Sequence, residues 1–449
     1  MKATRPNIIY VFADQWRAQA LGYAGNPDVR TPNIDRLATE SLNLTHAVAG
    51  CSVCCPSRAS LLTGQRPLTH GVFVNDVHLS DDAVSLGKVF AAAGYDTAYI
   101  GKWHVDGRGR SAYIPPESRQ GFDYWKVLEC THDYNHSYYY AGDSDEKMLW
   151  EGYDAIAQTR DAARYIREHP RDRPFLLMLS WGPPHAPYGT APQEYRDLYR
   201  PDAIHLRPNV SPSHQEAARE WLAGYYAHCS ALDACVGELW QTLKDAGVEE
   251  DTLFIFTSDH GDMLGSHGME KKQQPWDESI RIPMLVHYPR GFGRADKELS
   301  ARLDIPDVMP TLLGLCGLPI PPSVEGLDFS AYLHGGPDPS DGAALLSCPH
   351  PFGQWSPAQG GREYRGLRTE RYTYVRALDG PWLLYDNEED PYQLDNLVHQ
   401  QAYAELRAAL DAQLTARLDA QGDEFLPGMA YIERWGYPVD ETGTVPYQW

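Results

Sequence analysis

Two short stretches of the chain pair an acid with a second donor: Asp14-Gln15 and Asp259-His260. Hard divalent cations take carboxylate and amide oxygens, and an imidazole widens the choice toward softer ions. Lysines stand at Lys102, within Gly101-Lys102-Trp103-His104, and at Lys272. His104 and His185 are side chains that move protons near neutral pH. Cys54 opens the run Cys54-Cys55-Pro56-Ser57-Arg58-Ala59-Ser60-Leu61-Leu62-Thr63-Gly64, in which a thiol is followed by a hydroxyl and a guanidinium. A metal site, a nucleophile and converging cations are the parts needed for chemistry on an anion. Zinc does not suit Cys51, Cys54 and Cys55, because no second Cys pair or spaced His pair completes four ligands.

These residues act together only if separate elements bring them to one place. Asn7 to Ala13 is an apolar, β-branched run ending at Asp14, which reads as a buried parallel strand. Thr97 to Ile100 ends at Gly101-Lys102, Pro174 to Trp181 runs into Gly182-Pro183-Pro184-His185, and Thr252 to Thr257 runs into Ser258-Asp259-His260. Pro283 to Tyr288 is a fifth run of this kind. Between them, Ser85 to Ala93, Tyr153 to His169 and Ala217 to Gly247 carry helical patterns. Alternating strands and helices predict an α/β fold with a large, mostly parallel sheet flanked by helices. Ligands of such sheets bind outside the carboxyl ends of the strands, where the chemically able residues fall.

Composition shifts at Gly335-Gly336-Pro337-Asp338-Pro339, which reads as a linker. The expected division is a catalytic α/β domain over 1–335 and an α+β subdomain over 340–449. Alternating residues in 364–368 and 372–376, followed by Trp382-Leu383-Leu384-Tyr385, predict a small antiparallel sheet, with one helix over 402–420 packed on it. The stretch from Pro427 onward is rich in aromatics and is expected to pack on the body or on a second subunit, so a homo-oligomer is one expectation.

The chain has 449 residues and a formal net charge of -22, which excludes a nucleic-acid partner needing a basic face. An acidic protein still binds an anion where a few cations converge, and that local requirement is a test for the site. No apolar run approaches the ~18 residues that cross a membrane. Met1 to Asn7 leads directly into a strand without an apolar signal region, so a cytoplasmic protein with no membrane partner is expected. Eight cysteines show no disulfide-framework spacing.

The run from Cys54 to Gly64 resembles the sulfatase signature C-x-P-S-R-x-x-x-L-T-G at every fixed position. The resemblance extends from about residue 6 to about residue 320, and more loosely beyond. It implies the alkaline-phosphatase-like fold and a formylglycine made from Cys54 by a formylglycine-generating enzyme during maturation. An aldehyde hydrates to a geminal diol; one hydroxyl attacks sulfur, and the other, on losing its proton, expels sulfate and restores the aldehyde. By the same resemblance, Asp14, Gln15, Asp259 and His260, with residue 54, hold one divalent metal. Calcium is favoured and Mn²⁺ is the alternative that the imidazole allows. Many members have Asp and Asn where this chain has Gln15 and His260. That variant is similar to the one in choline sulfatases and phosphonate monoester hydrolases.

Gly101-Lys102-Trp103-His104, Pro184-His185-Ala186-Pro187 and His267-Gly268 with Lys272 upstream of Glu278-Ser279-Ile280-Arg281-Ile282-Pro283 also resemble family segments. The resemblance implies that Lys102, His185 and Lys272 bind the sulfate and that Arg58 holds the nucleophile. It makes His185, alone or with Lys272, the acid toward the leaving alcohol and His104 the base that regenerates the aldehyde. Lys272, not Lys271, is chosen by counting back from Ser279. The expected substrate is a sulfated saccharide. Candidate leaving-group contacts are Cys130 to His136 with Tyr138 to Tyr140, and His350-Pro351-Phe352 with Trp355. Two other readings stay open: a phosphonate monoester or phosphodiester hydrolase of the same superfamily, and a non-catalytic anion- or glycan-binding protein.

Overall fold

The computed structural model describes residues 5–294 and 296–448. Its centre is β1 (Asn7–Asp14), which pairs in parallel with β7 (Phe175–Pro184) on one side and β8 (Thr252–Ser258) on the other. The register places Ile9 between Leu177 and Phe254, and Asp14 beside Pro184. Beyond β7 lie β3 (Asp96–Lys102) and β4 (Tyr124–Leu128), both parallel. The short strands β5 (Tyr138–Ala141) and β6 (Met148–Leu149) close that edge in antiparallel fashion. On the other side follow β9 (Met284–His287), β2 (Leu42–Leu44) and β10 (Lys297–Leu299), completing a ten-stranded sheet.

The pleat of β1 explains its sequence. Ile8, Tyr10 and Phe12 enter the core on one face of the sheet, and Ile9, Val11 and Ala13 enter the core on the other. A strand buried on both faces must be apolar throughout, which is what the run reads as. Ala59, Leu61 and Leu62 of the Cys54–Thr63 helix cover the first face. The Asp154–Glu168 and Gln215–Asp245 helices cover the second through residues such as Ile166, Leu222, Leu232 and Leu239. Each large aliphatic side chain so buried contributes roughly 1.5–3 kcal/mol relative to exposure.

One expected strand runs the other way. The Pro283–Tyr288 run forms β9, which is antiparallel to β8 with Ile255 opposite Val286. The connection from β8 turns at the carboxyl edge through the short Asp277–Ile280 helix and returns directly, with no crossover helix to carry the chain back to the start of the sheet. An apolar run has no sense of direction, so periodicity could not distinguish the two.

β11 (Ala343–Cys348), β12 (Tyr364–Thr369), β13 (Tyr372–Ala377) and β14 (Gly380–Asp386) form the four-stranded antiparallel sheet. Leu410, Leu414 and Leu418 of the Ala404–Gln421 helix pack on one of its faces. The other face meets Met263, Trp276 and Ile280 from the chain that follows β8. Arg368 on β12 binds Asp277 with both Nε and Nη2, at 2.9 and 3.0 Å. Residues beyond Pro427 pack on the body, as expected, through a helix over Gly428–Trp435. Tyr437 there donates to the Gly71 carbonyl, Val445 is buried in the main core, and Gln448 accepts from the Arg110 amide. No helix among the described residues is long and apolar enough to cross a membrane.

Candidate active site

The carboxyl ends of β1, β3, β7 and β8 converge where Asp14, Lys102, His185 and Asp259 emerge. Gly101 makes this crowding feasible: its φ is +104°, and a Cβ there would overlap the Ser180 carbonyl oxygen of neighbouring β7. A residue with a side chain could not let the two strands approach so closely. Gln15 leaves β1 at φ +74° and His104 leaves β3 at φ +60°, left-handed conformations that re-aim the chain at the site.

Cys54 is the first residue of its helix and is 1% exposed. Its Sγ lies 3.1 Å from His260 Nε2, 3.1 Å from Lys272 Nζ and 3.6 Å from Asp14 Oδ1. One turn on, the buried Arg58 bridges the two carboxylates, with Nη2 3.2 Å from Asp14 and 3.0 Å from Asp259. Its Nη1 donates to the Lys102 carbonyl and to Ser180 Oγ, so the guanidinium is locked in place. Ser57 Oγ donates to the Asp259 carbonyl at 2.6 Å. Lys102 Nζ sits 2.6 Å from Asp14 Oδ2.

Ligand atoms of Asp14, Cys54, Asp259 and His260 all lie within 4.8 Å of one another. His260 Nδ1 faces the Gly261 carbonyl at 2.9 Å; a carbonyl only accepts, so Nδ1 carries the proton and Nε2 turns its lone pair to the cluster. Gln15 is oriented in the same way. Its Nε2 donates to Asp262 Oδ2 at 2.6 Å, which leaves Oε1 to accept from Lys272 Nζ at 2.7 Å. Two carboxylates, an amide oxygen and an imidazole nitrogen thus face one small volume, a donor set that fits a divalent ion.

Electrostatics agree. Burial pushes the Asp14 carboxyl up, yet Lys102, His185, Lys272 and Arg58 together hold it well below the usual carboxylate range. Burial and then the Asp14 charge push Asp259 up, as expected of two close carboxylates sharing one pocket. Burial and Asp14 also oppose ionisation of the Cys54 thiol, but Lys272, His260 and Lys102 outweigh them and hold it well below its ordinary value.

A cavity of about 240 Å³ opens on this cluster, lined by Cys54, Lys102, His104, His185 and Lys272 among others. Cys54, Lys102, His104, His185 and Lys272 thus line the cavity, and Asp14, Gln15, Arg58, Asp259 and His260 stand behind them. The two histidines are pushed apart. Burial and Lys272 lower His185 well below its ordinary value, whereas Cys130, Cys55 and Asp76 raise His104 well above its own against the cost of burial. His185 Nδ1 donates to the Ala186 carbonyl at 2.8 Å, and its ring stacks on His132 at 4.6 Å.

Several contributors were not singled out from the sequence. Asp262 aims Gln15, and Ser180 holds Arg58. Asp76 lies 3.5 Å from His104 Nε2 and is gripped by Arg110 through Nε and Nη2, each at 2.9 Å. Tyr447 stacks on that guanidinium at 3.3 Å and lines the cavity with Thr444. The signal that could have flagged Asp262 is its place three residues after Asp259, on the same turn of chain. Of the suggested leaving-group residues, His132 and Phe352 reach the cavity. Trp355 does not: it is buried in the core between the small sheet and the chain that follows β8, and His350 is bonded to the Gly443 carbonyl. Lys272, rather than Lys271, touches Cys54.

A sequence profile of the Sulfatase family matches residues 6–318, and one described as N-sulphoglucosamine sulphohydrolase, C-terminal, matches residues 265–420. The ulvan-active sulfatase of Formosa agariphila is 45% identical over 449 aligned residues, covering 99% of this chain and 87% of that protein. An endo-4-O-sulfatase of Bacteroides thetaiotaomicron is 33% identical, covering 91% of this chain and 92% of its own length. The solved phosphonate monoester hydrolase of Agrobacterium radiobacter superposes with a TM-score of 0.76 at 26% identity, covering 98% of this chain and 99% of that one. With the signature run at the head of a helix and the acids, lysines and histidines gathered around it, the chain belongs to the sulfatase family and is a sulfuric ester hydrolase.

Proposed function

We propose that the chain removes a sulfate ester from a saccharide, using a formylglycine derived from Cys54 and one divalent ion, Ca²⁺ in preference to Mn²⁺. The family implies a divalent ion and a formylglycine. The observation that carries the reading is the position of the Cys54 sulfur, within 3.6 Å of Asp14, His260 and Lys272 together. The saccharide rests on the relatives, which are named for ulvan and for 4-O-sulfate.

Asp14, Gln15, Asp259 and His260 would hold the ion. When bound, it supplies the positive charge that makes a hydroxyl of the hydrated aldehyde at position 54 nucleophilic at neutral pH. Arg58 orients that side chain. Lys102, His185 and Lys272 bind the sulfate oxygens and offset the charge that grows on them as the ester opens. The S–O bond to the saccharide breaks, and the leaving oxygen takes a proton from His185. Burial and then the Lys272 charge oppose protonation of that histidine, and an anion bound beside Lys272 offsets the second of these. His104 takes the proton released when sulfate leaves, and the Asp76 carboxylate 3.5 Å from its Nε2 stabilises the imidazolium that forms. Water and R–O–SO₃⁻ thus become R–OH, sulfate and one proton.

The test is turnover of a panel of sulfated mono- and oligosaccharides beside matched phosphate mono- and diesters, with mass spectrometry of the Cys54 peptide from the same protein. We expect sulfate release and a peptide about 18 Da lighter than the thiol form, since CH₂SH becomes CHO. Faster turnover of a phosphodiester would replace the reading by the phosphonate or phosphodiester hydrolase that Gln15 and His260 resemble. Unoxidised Cys54 in protein made together with a formylglycine-generating enzyme would point instead to an anion- or glycan-binding protein.

A further inference from the structure

Beside the cavity at Cys54 lies a second one of about 460 Å³, whose walls include Pro187, Tyr188, Glu220, Trp221, Leu264 and Lys271. Its volume is in the ~300–1,000 Å³ range of small-molecule sites, whereas the 240 Å³ of the first cavity lies below that range.

Two observations join the cavities. Lys271 lines both. The chain also passes directly from His185 in the first to Ala186, Pro187, Tyr188 and Gly189 in the second. The second cavity shares the framework of the metal cluster as well. Tyr188 donates to Asp262 Oδ2 at 2.7 Å, the same oxygen that takes the Gln15 amide proton.

The lining has a definite chemistry. Trp221 and Tyr188 offer aromatic surface, and Glu220 and Glu270 are carboxylates able to accept from hydroxyls, with Lys271 the one cation of the lining among the described residues. Lys271, held at φ +59°, makes no ion pair among the described residues, in a protein of net charge -22. A cation left unpaired at the junction of two cavities suits an acidic substituent there.

We infer that the second cavity is a sugar subsite: the substrate is an oligosaccharide whose ring next to the sulfated one lies against Trp221, with an acidic group at Lys271. This rests on the saccharide-sulfatase reading above. It makes chain length, and not only the ester, a determinant of rate.

The experiment compares kcat/KM on a sulfated monosaccharide and on a uronate-containing tetrasaccharide bearing the same sulfated unit. Wild type should favour the tetrasaccharide by about tenfold or more, a difference equivalent to about 1.4 kcal/mol. Trp221→Leu, which keeps apolar packing against the core, should abolish that preference and leave the monosaccharide rate within about twofold. Lys271→Ala should reduce the preference for the uronate-containing tetrasaccharide over a neutral one. Melting temperatures confirm that both variants fold. Equal loss on both substrates, or a wild type that gains nothing from added rings while cleaving the monosaccharide ester, overturns this inference alone. No turnover of any sulfated saccharide overturns the parent reading with it.

Discussion

Lys272 reaches across 218 positions of the chain to place its ammonium 3.1 Å from the sulfur of Cys54. The contact depends on the small sheet. Tyr364 on β12 donates to the carbonyl of the next residue, Gln273, at 2.9 Å, and Gln273 Nε2 donates to the Phe352 carbonyl at 2.9 Å. The loop carrying Lys272 is therefore clamped from outside the large sheet.

That clamp makes Lys272 a preorganised charge rather than a mobile one. Lys272→Ala should lower kcat by roughly 100-fold or more, the usual cost of removing one fixed group that stabilises developing charge. Steady-state kinetics on a sulfate ester the wild type cleaves check this, with circular dichroism to show an intact fold. A loss confined to KM would mean that Lys272 serves binding alone.

Asp262 touches no reacting group, yet it fixes which end of the Gln15 amide faces the cluster. Asp262→Asn would free that amide to turn. Divalent-ion affinity, measured by calorimetry, should fall by about 10–100-fold, as for other residues that orient a metal ligand. Unchanged affinity would remove Gln15 from the ligand set.

Adding the ion should stabilise the whole protein, because its donors come from β1, β8 and the head of the Cys54 helix, which meet only in the folded chain. At 100 times its dissociation constant, an ion that binds only the native state contributes about 2.7 kcal/mol. Melting temperature titrated with Ca²⁺ and with Mn²⁺ after chelation should rise for both, and the order of the two identifies the preferred ion. Asp14→Asn should flatten both curves.

The grip of Arg368 on Asp277 ties the small sheet to the large one and should show in acid. Burial opposes ionisation of Asp277, but Arg368 and Arg281 bring its carboxyl down to about 2 from an ordinary 3.8. A group lowered on folding stabilises the native state above its unfolded value and loses that contribution as pH falls through the folded one. The contribution is about 2 kcal/mol above pH 4 and disappears toward pH 2. Asp277→Asn should therefore be much less stable than wild type at pH 6, with the gap narrowing between pH 4 and pH 2 in denaturant melts. A gap independent of pH would show that the pair acts through packing.

Much of this protein is written locally. The apolar runs before Asp14, Lys102 and Asp259 identify buried strands because a strand covered on both faces tolerates little else, and the Cys54–Gly64 run names its chemistry through contiguous residues. Other features have no local signature. The direction of β9 depends on how the chain returns after Asp259. Trp355 reads as a contact for a sugar but fills the space between the small sheet and the chain that follows β8. Asp262, the Asp76–Arg110 pair and Tyr447 earn their places only from neighbours distant in sequence. Sequence alone singled out the side chains that gather around Cys54 and the strands that deliver them. The three-dimensional packing decided which of two adjacent lysines touches Cys54, how Gln15 is turned, and what lies beside the site. Those outcomes follow from distances of a few ångströms between segments hundreds of residues apart, where orientation and desolvation set the energies.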